Sequence, residues 1–591
     1  MLGLDRGQLL PERELPRAAE LLAEGRRLAG SVSVGPCPFL QQYGVRSESA
    51  YKQRRMAEGA LMFHAQVGYR SPERTKRAYG EIYERLAAAG YRVDRYGICL
   101  DWSMGYPAAQ RGGMPRGTGL TLDQPEDFAA LTSAAPVAPH FGDFVIGTPA
   151  ALENTAAALA AGATTIGNLG QYFTFRMPRW HDDIFTTAET VKALALCAAQ
   201  PVEVLIHSNL DDGFAALFTD LACGIGTALI ERYVVEELVG ARVTHCYGHT
   251  FEDPLTRLAF QRALARIDPA PGSMIYGNTT SFGPNMVANY ANMASYLVVD
   301  FAGQRAMPTG HGLNPVPVTE AMRIPEIDEI VDAHLFANRL AERTAGYAQL
   351  FDMEAADRVA DLLLEGGMRF RDRVFAGMAE AGIDTGDAFE LLLSLRRLGA
   401  RRLEELFGPG QSTPDQPRGR TPVVRATTVA SFEAQGAALA DQLGMADLDM
   451  VRQAGFTACV ACTDVHEYGK LLVEAALRAS GVTVVDAGVS ADPDGVAEQA
   501  RAARADFIAI STYSGVALSY LQSLRQELGR TGVVAPVFVG GKLNQVPDDG
   551  LASMPQDVSG ELRTLGAFVC CRVEDMLHEL VELAKERSKH A

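Results

Sequence analysis

Phe456-Thr457-Ala458-Cys459-Val460-Ala461-Cys462 is a run of small and apolar residues, and Asp464-Val465-His466-Glu467-Tyr468-Gly469 follows it almost at once. The run predicts a buried strand, and Lys470 to Arg478 a helix opening after it. This order places the His466 imidazole at the carboxyl edge of a parallel sheet, the edge where open α/β sheets hold ligands. Asp464 stands two residues earlier, within reach of the imidazole's second N–H. A carboxylate there fixes the tautomer and makes the free nitrogen a better metal ligand. Gly469 lets backbone approach a bulky ligand where a side chain would collide. The plainer alternative is a surface histidine at a helix N-terminus, with Asp464 as its cap.

Two further stretches extend the pattern. Ala505 to Ile510 reads as a buried strand ending in Ser511-Thr512-Tyr513-Ser514-Gly515, and Val537 to Val539 as another ending in Gly540-Gly541. Small residues on neighbouring strand ends predict a long slot for a planar group. With Val482 to Val485 and Ala567 to Cys570 as further strands between amphipathic helices, the region predicts a doubly wound parallel sheet. The constellation resembles the cobalamin-binding domain of adenosylcobalamin mutases and methionine synthase, over roughly residues 450 to 575. The resemblance implies His466 as the lower ligand of cobalt, with Asp464 behind it. It also implies Gly469, Ser511, Tyr513, Gly540 and Gly541 around the cofactor. Cys459-Val460-Ala461-Cys462 near His466 has the spacing of half a zinc site, but cysteines inside an apolar strand are better read as packing, as is Cys570-Cys571.

Composition bounds the rest. A chain of 591 residues, 47% of them apolar, holds more than one domain and a large core. No apolar run reaches the roughly eighteen residues of a membrane span. Met1 to Arg26 is charged and amphipathic and lacks a secretory core. Nine cysteines without such a leader predict free thiols in the cytoplasm. A net charge of −18 argues against nucleic-acid binding.

The Pro- and Gly-rich stretch from Gly408 to Pro422 predicts a linker. The domains expected around it are a helical extension (1–45), a (β/α)8 barrel (46–330), a helical segment packing on it (331–407), a linker (408–430) and the cobalamin-binding region (431–591). The fold class is thus α/β: a (β/α)8 TIM-type barrel, then a Rossmann-like, flavodoxin-like domain. Barrel strands are expected at Gly97 to Leu100, Asp143 to Gly147, Thr164 to Asn168, Val202 to Ser208, Arg242 to Tyr247, Met274 to Asn278 and Tyr296 to Phe301. Polar residues just past barrel strands make active sites. Here those are Asn168 to Tyr172, His207 to Asn209, His245 to His249, Asn278 to Ser281 and Thr309 to His311.

Gly147-Thr148-Pro149, then Asn168-Leu169-Gly170-Gln171-Tyr172, Phe175-Arg176-Met177-Pro178 and Pro315-Val316-Pro317-Val318-Thr319-Glu320-Ala321 are similar to glutamate mutase (methylaspartate mutase), across roughly residues 45 to 340. A barrel fused to a cobalamin domain resembles 2-methyleneglutarate mutase. The resemblance implies adenosylcobalamin, a small carboxylate or amino-acid substrate, no membrane partner and association of two barrels as a dimer. It implies Asn168, Tyr172, His207 and His249 as catalytic or orienting groups. Arg54, Arg111, Arg176 and Arg179 are the arginines available for carboxylates. His311 falls, with Met307, where the family holds the adenosyl ribose. The chain departs from the family at Val145, in place of a substrate arginine, and at Asn168, in place of a glutamate. Three classes of function remain open: a radical isomerase, a corrinoid methyltransferase and a non-catalytic cobalamin sensor.

Overall fold

The computed structural model describes residues 4–114, 116–213, 218–414, 416, 418–464, 467–513, 515–546 and 555–590. The chain divides into two compact units. The first is Met1–Met114, Gly119–Phe173 and Asp182–Thr427; the second is Pro115–Thr118, Thr174–His181 and Thr428–Ala591.

The first unit contains eight short parallel strands: β1 Met62–Val67, β2 Arg95–Ile98, β3 Ala138–His140, β4 Thr165–Ile166, β5 Leu205–Asn209, β6 Arg242–Cys246, β7 Met274–Ile275 and β8 Gly312–Leu313. They pair in the orders β3-β2-β1-β8-β7 and β4-β5-β6. Single parallel bridges, Phe141 to Ile166 and Tyr247 to Ile275, join the two runs. The pairing therefore returns to its start, leaving no edge strand open to solvent. Several strands lead to helices that begin on aspartate caps: Asp182 accepts from Phe185 N, Asp220 from Ala222 N and Asp253 from Thr256 N. Each cap satisfies an amide that the first helical turn cannot.

Helix Glu48–Ala57 covers the amino ends of the strands. Glu48 N donates to Thr164 Oγ1 at 2.8 Å, and Lys52 Nζ donates to the carbonyls of Gly272 and Ser273 at 2.5 and 2.8 Å. Helices Ile327–Arg343, Met353–Glu380 and Ala388–Phe407 complete the unit.

Three differences from the sequence reading have local causes. Asp143 to Gly147 is a turn rather than a strand, because Phe144 (φ 56°) and Gly147 (φ 90°) leave extended geometry; the strand lies earlier, at Ala138–His140. Tyr296 to Phe301 is the middle of helix Met286–Ala306, started by Asn285, whose side chain accepts from Val287 N and Ala288 N. The first strand, Met62–Val67, escaped notice because His64 and Gln66 interrupt its apolar run. The stretch expected as a linker contains a short antiparallel pair, Gln411–Ser412 with Arg420–Thr421. The Val423 and Val424 amides donate to the Asp220 carboxylate at 2.8 and 3.1 Å.

The second unit is built on β9 Thr457–Cys462, β10 Thr483–Asp486, β11 Phe507–Thr512, β12 Val537–Gly541 and β13 Phe568–Cys570. All pair in parallel, in the order β10-β9-β11-β12-β13. Alternate residues face opposite layers. Cys459, Ala461, Ile508, Ile510, Val537 and Val539 join one core, whereas Ala458, Val460, Phe507, Ala509 and Phe538 join the other. A sheet buried on both faces is the doubly wound arrangement. Among the described residues no helix is long and apolar enough to cross a membrane.

Candidate functional site

The order β10-β9-β11 puts the topological switch of the second sheet between β9 and β11, where the connections leave to opposite faces. Ligands of open α/β sheets bind in that crevice. Asp464 lies just past β9, buried, and its carboxylate accepts from Tyr513 N at 2.9 Å and from Thr463 Oγ1 at 3.0 Å. Its carbonyl accepts from Ser490 N at 3.1 Å. Asp464 therefore ties the ends of β9 and β11 to the loop after β10. His466 itself lies outside the described residues, as do Val465 and Ser514.

The register sets Cys462 opposite Ser511, and Ser511 opposite Gly540. A Cβ on Gly469 would stand 2.7 Å from Ser511 Oγ. Gly541 has φ 98°, and a Cβ there would fall 2.3 Å from the Thr512 carbonyl oxygen. Both positions thus require glycine or a shifted neighbour. Tyr513 is partly exposed beside this edge, with Lys542 Nζ 5.8 Å from its ring centre. Ser490 Oγ and Thr512 Oγ1 are buried without a hydrogen-bond partner among the described residues. Small residues, a cradle closed to any Cβ and orphaned hydroxyls fit a large ligand with many polar atoms, as cobalamin is.

One element of this site was not anticipated. Lys470 is buried and its Nζ lies 3.1 Å from Glu467, 2.8 Å from Glu474 and 2.8 Å from Asp486. Burial opposes its charge, but the three carboxylates outweigh burial and hold the ammonium above its ordinary range. Burial pushes the Glu467 carboxyl up. The cluster fastens the start of helix Tyr468–Ala479 to the end of β10. Its signal was available in the sequence as Glu467, Lys470 and Glu474 at helical spacings of three and four.

Residues 457–562 match the B12 binding domain. A cobalamin-binding domain therefore stands at the C-terminal end of this chain. Among solved structures, a novel cobalamin-binding protein from Desulfitobacterium hafniense DCB-2 is similar, at 15% identity and a TM-score of 0.19, covering 27% of this chain and 81% of that one. No match is found among curated proteins.

In the first unit, several polar groups gather at the carboxyl ends of the strands. Asn168 is buried; its Oδ1 accepts from Gly170 N and Asn209 N, both at 2.9 Å, and its Nδ2 lies 3.4 Å from Asp143 Oδ1. It brackets β4 to β5 beside a carboxyl that burial pushes above its usual range. His249 stacks on Tyr276 at 3.8 Å, with Nδ1 3.2 Å from Thr279 Oγ1. Asp211 accepts from Gly248 N and Thr250 N, closing the end of β5 onto that of β6. Arg70, buried shortly after β1, belongs to the same end and was missed with that strand.

Below them lies a buried histidine cluster. His140 is 4.6 Å from His207 and 6.2 Å from His64, ring centre to ring centre. Arg95 stands 3.4 Å from His64 Nδ1, donates to Ser273 Oγ at 3.0 Å and lies 2.8 Å from Glu48. His207 Nδ1 meets the same Ser273 Oγ at 2.7 Å. Burial, then the positive Arg95, holds all three imidazoles well below their ordinary range, so they are neutral. Arg95 only donates, so His64 carries its proton on Nε2; His140 donates Nδ1–H to the Thr165 carbonyl at 3.1 Å and keeps an Nε2 lone pair.

Other anticipated residues lie elsewhere. Tyr172 is buried in the core, its hydroxyl 2.7 Å from Thr187 Oγ1 and its ring under the Arg396 guanidinium. Arg111 donates to the Leu122 carbonyl and clips its own loop. Arg54 is an exposed residue on helix Glu48–Ala57, at the amino ends of the strands, donating to the Tyr43 carbonyl. His311 precedes β8 at that same end; Nδ1 meets Thr309 Oγ1 at 2.6 Å, and burial lowers its pKa to about 3. Arg176 and Arg179 belong to the segment Thr174–His181, which groups with the second unit, where Arg179 N donates to Asp492 at 3.2 Å. The structure therefore gathers Asn168, His207 and His249 in one strand ring, with Arg54 and Arg111 in that unit and Arg176 and Arg179 in the second.

Proposed function

We propose that this protein is an adenosylcobalamin-dependent radical isomerase that rearranges the carbon skeleton of a small carboxylic or amino acid, of the glutamate mutase type. In this reading the closed ring of eight strands is a (β/α)8 barrel, with the substrate at its carboxyl ends. The observation that carries the reading is the presence, in one chain, of a B12 binding domain over residues 457–562 and a strand ring with polar carboxyl ends and a buried interior. Cobalamin, when bound, supplies one-electron cleavage of a cobalt–carbon bond, chemistry that no side chain offers.

The chain's own residues have the complementary tasks. Asp464 and the Lys470 cluster brace the end of β9, and the glycines at 469, 540 and 541 let Ser511, Cys570 and Thr512 pack closely at the sheet edge. In the ring, Asn168, Asp143 and His249 orient polar atoms of the substrate, while the buried histidines beneath fill the interior. Excluding water protects a reactive carbon centre from side reactions. A corrinoid methyltransferase is the second reading, favoured by helices Thr427–Asp441 and Met445–Ala454, which stand immediately before β9 where such enzymes carry a helical cap.

Electron paramagnetic resonance separates the readings. Anaerobic protein with adenosylcobalamin and candidate carboxylic and amino acids should give an organic radical coupled to Co(II). Methyl transfer from methylcobalamin without that signal would move the assignment to a methyltransferase; cofactor binding with neither would indicate a sensor. His466→Gly should abolish the histidine-ligated cobalamin spectrum, and an unchanged spectrum would remove His466 from the site.

A further inference from the structure

Arg369 and Arg373 sit one turn apart on helix Met353–Glu380 and line a cavity of about 490 Å³ with Pro409, Gly410, Thr421 and Pro422. Arg369 Nη1 donates to the Pro409 carbonyl at 3.1 Å, and Arg373 Nη1 to the Gly408 carbonyl. Arg420, on the strand beside them, donates to the carbonyls of Glu405, Leu406 and Gly410 at 3.2, 2.9 and 3.3 Å. Among the described residues, none of the three has a carboxylate at ion-pair distance. Burial and the positive charges of Arg420 and Arg369 lower the Arg373 pKa.

This is an unusual concentration of charge in a chain with a net charge of −18. The carbonyls at the end of helix Ala388–Phe407 offer about half an elementary negative charge, too little to balance three guanidinium groups. Like charges gathered without a counter-charge repel, and a bound anion would reverse the sign of that energy. Arg369 and Arg373 each keep Nε and Nη2 beyond the bonds above, the fork that matches phosphate oxygens in bidentate geometry. Three cations suit a multiply charged oxyanion better than a single carboxylate. The volume falls within the roughly 300–1,000 Å³ of small-molecule sites, and the two prolines supply an apolar wall.

We propose that this cavity binds a phosphate-bearing small molecule, its phosphate gripped by Arg369 and Arg373 with Arg420 behind them. The proposal does not depend on the cobalamin chemistry. Isothermal titration calorimetry of the full chain with inorganic phosphate, pyrophosphate and succinate, at low ionic strength, tests it. The phosphate probes should bind saturably, at least tenfold tighter than succinate, and the Arg369→Ala/Arg373→Ala double variant should weaken them at least tenfold. Arg373→Lys, which keeps the charge but not the fork, should weaken them less. No saturable phosphate binding, equal binding by the double variant, or succinate as tight as phosphate would overturn the proposal. Should the double variant lose its circular dichroism signature, Arg373→Lys decides: unchanged affinity refutes the site, and weaker affinity supports it.

Discussion

The carboxyl edge of the C-terminal sheet and the interior of the N-terminal strand ring solve opposite problems. At the sheet edge, side chains are withdrawn: glycines at 469, 540 and 541 bring backbone and Ser511 into close contact, and the charges that organise the edge are set back in the Lys470 cluster. In the ring interior, side chains are crowded in: His64, His140, His207 and Arg95 are all buried in one cluster. The first is a site defined by backbone shape, the second by buried polarity. A shape-defined site is sensitive to any added atom, whereas a polarity-defined one is sensitive to lost hydrogen bonds and to pH.

The contrast can be tested where each region is most exposed to change. The largest effect is expected from Lys470→Met. It removes the buried cation between Glu467, Glu474 and Asp486, leaving Arg478 beside Glu474 at 2.8 Å, and losing one partner of a buried ion cluster costs roughly 3–5 kcal/mol. Chemical denaturation followed by circular dichroism should show the C-terminal unit melting early; a stability within experimental error of the parent would mean the cluster is not an anchor.

Next comes a pH effect confined to the ring. His245 is buried between Glu231 (3.1 Å) and Asp268 (3.2 Å). Burial disfavours its charge, but the two carboxylates raise its pKa to about 9. Because the folded value lies above the unfolded one, the stabilisation is complete below about pH 6.5 and is lost as pH rises through 9, on the order of 3 kcal/mol in all. Melting temperatures should fall across that window in the parent and stay flat in His245→Gln. A parallel decline in both would assign the slope to other groups.

The smallest effect is expected from Gly541→Ala, where positive φ and the Thr512 carbonyl combine to cost about 1–3 kcal/mol. Cobalamin affinity should fall more than stability does, since the edge itself is displaced. Equal affinity in a spectroscopic titration would show that Gly541 does not shape the cofactor edge.

The same contrast explains what could be read in the chain beforehand. The second sheet was legible because its strands are unbroken apolar runs ending in small residues, such as Ala505 to Ile510 before Ser511 and Val537 to Val539 before Gly540. Ring strands were harder. β4, β7 and β8 have two residues each, and in β1 inward polar residues mask the period. The helix through Tyr296 to Phe301 shows tertiary packing overriding the β-branched and aromatic bias of a short window, with Asp300 held by buried Arg257 at 2.7 Å. The histidine cluster was invisible for another reason. His64, His140 and His207 are far apart in sequence, and only ring closure brings them together. His311 was assigned to the wrong end of the ring, because polarity past a presumed strand does not say which end that strand presents.

The helix Glu48–Ala57 carries a consequence for traffic through the molecule. With Lys52 latched to two backbone carbonyls beneath the strands, the ring has a stopper at its amino end. An opening at that end would first have to break both bonds and lift a whole helix, a larger rearrangement than the swing of a loop.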